Sequence, residues 1–122
     1  MDLIKKIESR KSELYEILSN LIKIDSQSSC VGGSEKEISK YIAKEIEKMG
    51  YLPDMYSPLD VEGMTEHPDF WPFHNLENSY NVSAVIPGKD RTKRLMLAAH
   101  NDTVAVGDKS GWTVDPFGGE IK

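Results

Sequence analysis

Between Asp2 and Ile24 the apolar residues Leu3, Ile4, Ile7, Leu14, Ile17, Leu18 and Leu21 recur at spacings of three and four, with charged residues between them. That period places them on one stripe of a helical surface and predicts a single long amphipathic helix. The stretch 25–33 is rich in serine and ends in two glycines, which favours a loop. Gly32 and Gly33 read as flexible connectors, because no strand, third glycine or lysine accompanies them to make a phosphate-binding motif. A second helix is predicted from Ser34, spaced from Glu37 as in a capping box, to a stop at Gly50. Its apolar stripe is Ile38, Ile42, Ile46 and Met49, and Lys44, Glu45, Glu47 and Lys48 fall toward solvent.

The pattern then changes from helical to strand-like. Residues 51–56 suit a strand that Pro53, lacking an amide donor, confines to an edge or a bulge. Residues 57–79 form a long connection carrying prolines, histidines and the aromatic cluster Phe70, Trp71 and Phe73, too long for an ordinary loop and therefore packed or functional. Two further strands are predicted at 81–86 and 94–99, joined by a Pro-Gly and charged turn. The second is almost wholly apolar, as a strand covered on both faces in the central sheet of an α/β domain would be. Residues 107–119 read as loop.

Composition narrows the partners. A chain of 122 residues, 39% hydrophobic, can bury a modest core. Its net charge of −5, with both signs scattered, offers no basic stripe for nucleic-acid phosphates. No apolar run approaches the roughly 18 residues of a membrane span, and the N-terminal stretch lacks the apolar core of a secretory signal. A lone cysteine, Cys30, fits a reducing cytoplasm.

Chemistry concentrates at His100, Asn101, Asp102, Thr103 and Val104, directly after the 94–99 run. In open α/β sheets ligands bind beyond the carboxyl ends of strands, so side chains there reach a site. Imidazole is a common zinc ligand whose second nitrogen needs a carboxylate or carbonyl partner, and Asp102 is placed to supply one. The alternative is a hydrogen-bonded core histidine beside an ordinary turn aspartate. His67 and His74 make a weaker metal pair in an aromatic loop, and Phe70, Trp71 and Phe73 more simply anchor that loop than line a pocket. Trp112 and Phe117 either shape a substrate entrance or pin their loop, with pinning preferred.

The wider context carries a resemblance. The run Leu95-Met-Leu-Ala-Ala-His-Asn-Asp-Thr-Val104, followed by Gly107, Trp112, Pro116, Phe117 and Gly118, resembles the first metal motif of the zinc-dependent amidohydrolases and exopeptidases. That family includes acetylornithine deacetylase, succinyl-diaminopimelate desuccinylase, aminoacylase and carboxypeptidase G. The order upstream is similar too: a long helix, a serine-rich loop, Ser-Glu-Lys-Glu-Ile opening a second helix, Lys-Met-Gly-Tyr closing it, and Tyr80-Asn-Val-Ser-Ala-Val-Ile-Pro-Gly. Ala99 and Ala105 depart from the glycine or serine and the proline frequent in relatives, without removing a ligand.

The resemblance implies a partial three-layer α/β catalytic domain, with two N-terminal helices packed on an incomplete sheet of the strands 51–56, 81–86 and 94–99. Residues 1–122 would be the N-terminal portion of that domain, without its remainder or the lid and dimerisation domain. It implies that His100 ligates a metal ion and that Asp102 holds and tunes it. The ion would be zinc, with cobalt as a substitute and two ions in the complete enzyme. The implied reaction is cytoplasmic hydrolysis of an N-acyl amino acid or small peptide. The bridging aspartate, the general-base glutamate and the other ligands lie beyond Lys122 in relatives, so this polypeptide alone is expected to be inactive. An exposed sheet edge or apolar face would favour homo-oligomers. A different class of reading is a non-catalytic interaction or structural module that keeps the start of the fold, and reading the frame past Lys122 for Gly-Arg-Gly and a following aspartate separates the two.

Overall fold

The structure, a computed structural model, describes residues 2–28, 31–72 and 75–122. Cys30, Phe73 and His74 lie outside the described residues. The chain is a mixed α/β one that divides into two compact units, Met1–Asp25 with Val106–Lys122, and Ser26–Ala105.

In the first unit the predicted single helix is two: α1 (Leu3–Glu8) and α2 (Lys11–Ile22). The break is local chemistry. Ser9 Oγ donates to the Lys6 carbonyl at 2.8 Å and the Arg10 amide bonds back only three residues, to Ile7, which tightens and ends the first helix. Arg10 then folds onto Glu13 with two bonds of 2.7 and 2.6 Å at the start of the second. The apolar stripe crosses this break undisturbed, which is why periodicity alone reads one helix. Deep in α2, buried Ser19 donates to the Gly119 carbonyl at 2.6 Å. Gly119 has φ +61°, and a Cβ there would collide with the Ser19 carbonyl, so this close approach requires glycine.

In the second unit α3 (Lys36–Lys48) packs on a two-stranded antiparallel sheet of β1 (Pro53–Tyr56) and β2 (Asn81–Ala84). The register runs from Pro53 opposite Ala84 to Tyr56 opposite Asn81, with Pro53 at the strand's first residue, where a missing donor costs least. Gly50 ends α3 as predicted. Its φ is +85° and the Tyr51 amide reaches back to the Ile46 carbonyl at 3.2 Å, a left-handed C-terminal cap. The predicted start differs. Ser34 Oγ accepts from the Lys36 amide, but Glu37 turns outward to Lys40 at 2.7 Å instead of closing a capping box. A reciprocal pair of that kind does form at Ser57 and Asp60, around the short 3-10 turn Pro58–Asp60. Of the α3 stripe, Ile38 is 4% exposed, Ile42 and Ile46 are half-buried, and Met49 is exposed.

The third predicted strand does not form. Residues 94–99 have no strand partner among the described residues, and Leu95, Met96 and Leu97 are each 86% exposed. An apolar run specifies readiness to be a buried strand, whereas the ladder must come from a neighbouring backbone, and none lies beside it. Among the described residues the sheet is therefore two-stranded and antiparallel, without the 94–99 strand expected in it. Between Pro58 and Phe70 the connection is a succession of three-residue-back turns, Val61 to Pro58, Met64 to Val61, His67 to Met64 and Phe70 to His67. No helix among the described residues is long and apolar enough to cross a membrane.

Candidate functional site

His100 was expected at the end of a buried strand, and the structure places it on unpaired backbone with its side chain 86% exposed. The residues that follow are nevertheless firmly held. The Thr103 amide donates to the Ser26 carbonyl at 2.9 Å and the Ser28 amide donates to the Thr103 carbonyl at 2.9 Å, a single parallel bridge centred on Gln27 and Thr103. Gly33 supports that segment from behind: its amide bonds the Ser28 carbonyl, and a Cβ on it would strike the Gln27 carbonyl. It is thus a close-approach glycine and not the flexible connector predicted. Asn101 donates its side-chain amide to Ser39 Oγ at 3.1 Å, and that hydroxyl donates to the Tyr80 carbonyl at 3.0 Å. Ser26 and Ser39 are the most completely buried side chains of the described residues.

The geometry at the histidine fixes its chemistry. Nδ1 lies 2.9 Å from the Asp102 backbone oxygen and 3.3 Å from Asp102 Oδ1. A carbonyl oxygen only accepts, so the proton of the neutral ring sits on Nδ1 and the lone pair is left on Nε2. A neutral imidazole held in that way is a Lewis base directed away from its own loop, suited to be one ligand of a divalent ion. The fit is limited to that one ligand: among the described residues no three His, Cys, Asp or Glu side chains gather where they could hold a metal.

The other sequence candidates are placed differently. His67 Nδ1 accepts from the Asp69 amide at 3.2 Å, the opposite tautomer to His100. It lines an open groove of about 250 Å³ with Pro58, Met64, Asp69, Phe70 and Trp71. Trp71 is 61% exposed, so it does not anchor the connection on a core as predicted. The pairing of His67 with His74 falls outside the described residues. In the first unit Trp112 Nε1 donates to the Val106 carbonyl at 2.9 Å, pinning its loop as preferred, and Lys109 stands 5.5 Å over the Phe117 ring.

Sequence reasoning missed Ser26 and Ser39, and it singled out Asn101 without its link to Ser39. Ser39 carried a legible signal: it lies three residues before Ile42 and seven before Ile46, a hydroxyl on the apolar side of an amphipathic helix. Ser26 carried none, and nothing near Asn101 named its partner, since both bond to residues distant in sequence. Asp90, in the turn before the apolar run, has its carboxyl held below the ordinary range by hydrogen bonds from the Thr92 hydroxyl and then the Thr92 amide.

Comparison with known proteins points to one class, the amidohydrolases that the sequence resembles. Over 72 residues the chain is 53% identical to the succinyl-diaminopimelate desuccinylase of Rhodospirillum centenum (strain ATCC 51521 / SW). That stretch is 59% of this chain and 18% of the relative, so the match spans less than a fifth of the relative's length. The resemblance read from the sequence is borne out by this identity. No family model matches the chain, and no solved structure matches it.

Proposed function

We propose that this chain supplies the first metal-ligand loop of a metal-dependent amidohydrolase that cleaves the amide bond of an N-acyl amino acid or small peptide in the cytoplasm. In this reading residues 1–122 are the N-terminal portion of the catalytic domain. The observation that carries it is the His100 ring, whose Nδ1 is held at 2.9 Å by the Asp102 backbone oxygen, leaving the Nε2 lone pair outward. The identity to a protein named as a desuccinylase supports the same class of substrate.

His100 is the ligand, through Nε2. Asp102 sets the tautomer and orientation of the ring, mainly through its backbone oxygen and also through its carboxylate at 3.3 Å. Zinc is the expected ion, with cobalt as a substitute and two ions in the complete enzyme; when bound, such an ion supplies Lewis-acid polarisation of the amide carbonyl. A catalytic zinc normally takes three protein ligands, and His100 is one, so the 122-residue polypeptide should bind zinc weakly and show no turnover.

The test is a zinc or cobalt titration of the purified chain followed through the imidazole nitrogens, with N-acetyl and N-succinyl amino acids assayed in parallel. Expected is a response at His100 Nε2 that is absent at His67, a loss of affinity of roughly tenfold or more in His100→Ala, and no hydrolysis. Zinc binding indifferent to His100→Ala would overturn the ligand assignment and favour the non-catalytic module. Turnover abolished by that substitution would mean that a second subunit completes the site.

A further inference from the structure

We propose that Ser39 is a positioning residue for His100, acting through Asn101 as a latch between α3 and the ligand loop. The latch is a statement about the loop itself, and its bearing on metal binding rests on the reading of His100 as a ligand. Ser39 has no exposed surface, and its hydroxyl is engaged both ways: it donates to the Tyr80 carbonyl and accepts from the Asn101 amide. Serine is a poorer helix former than alanine, and a hydroxyl buried in a helix interior requires partners. Both of its partners lie outside α3, so the hydroxyl serves tertiary contacts and not the helix.

Asn101 stands between the ring of His100 and the Asp102 carbonyl that holds it. Tying its side chain to a buried point on α3 restrains the backbone between those two groups. On the far side, both backbone groups of Thr103 are engaged by Ser26 and Ser28. The two-residue step over which Nδ1 meets the Asp102 oxygen is thereby fixed at each end. Without the Ser39 end, the 94–99 segment that leads into His100 offers no substitute, since it is unpaired and exposed.

Imidazole nitrogen spectra of the full 122-residue chain test this, with His67 as an internal control because it is held in the opposite tautomer. Ser39→Ala and Asn101→Ala should each move His100 away from the Nδ1–H form toward the mixture of an unconstrained ring, with His67 unchanged. The double variant should match either single one, because both remove the same link. Zinc affinity should fall roughly tenfold in each. If Ser39→Ala disturbs α3, Asn101→Ala, which leaves the helix intact, gives the same readout. An unchanged His100 pattern in Asn101→Ala, or additive effects in the double variant, would overturn the latch. A shifted tautomer with zinc affinity indifferent to every variant, His100→Ala included, would support the latch and sink the metal reading instead.

Discussion

His67 and His100 sit in the same unit, each beside an aspartate two residues on, and the chain around them uses that spacing in opposite ways. At His67 the ring accepts from the Asp69 amide within a succession of local turns. Its neighbourhood is built from residues close in sequence, and the groove it lines is open. At His100 the ring donates to the Asp102 carbonyl, and the loop is tied to Ser26, Ser28 and Ser39, more than sixty positions away, by the 62-residue span of the Asn101 to Ser39 bond among others. The same His-x-Asp spacing therefore sits in a run of local turns in one place, and in a loop anchored by long-range bonds in the other.

That contrast can be broken from the side of the distant contacts. The largest effect is expected at Ile38, the one buried hydrophobic residue among those described and the neighbour of Ser39 on α3. Ile38→Ala should cost about 2 kcal/mol or more, read by thermal or urea unfolding, and should loosen the His100 loop before the His67 turns. A loss below about 0.5 kcal/mol would mean that α3 is not the platform. Next comes Gly33→Ala, whose methyl meets the Gln27 backbone; about 1–3 kcal/mol of strain is expected, with faster amide exchange at Thr103. Unchanged exchange there would detach Gly33 from the loop's support.

The bare 94–99 run gives a third prediction. With three consecutive apolar side chains exposed and no ladder partner, the chain should self-associate as concentration rises, and Leu97→Lys should reduce this in sedimentation velocity. A cooperative monomer at high concentration, indifferent to that substitution, would argue for an autonomous module. The smallest effect is pH dependence. Glu13 and Glu37 are held below the usual carboxylate range chiefly by side-chain bonds from Arg10 and Lys40, and Asp108 by the Ser110 amide and hydroxyl. A folded value depressed below the unfolded one stabilises above the unfolded value and is lost as pH falls through the folded one. Stability should therefore be flat near neutrality and decline below about pH 4, slightly, because these groups lie at the solvent-screened surface. A decline beginning near neutrality would point to other groups.

What the sequence by itself determined is what short-range chemistry determines. The α3 stripe and its glycine stop, the strands expected at 51–56 and 81–86, which form over the shorter spans 53–56 and 81–84, and the candidacy of His100 and Asp102 all follow from spacing, φ preference and residue type within a few positions. The break at Ser9 and Arg10 was equally local, yet the unbroken stripe masked it. Tertiary structure alone decided the rest: that 94–99 remains unpaired, that Gly33 marks a close approach, and that Ser26, Ser39 and Asn101 fasten the His100 loop. A hydrogen bond across sixty residues does not name its partner in the sequence: Ser39 shows only a hydroxyl on the apolar side of a helix, because each group satisfies a need that only the folded neighbourhood creates.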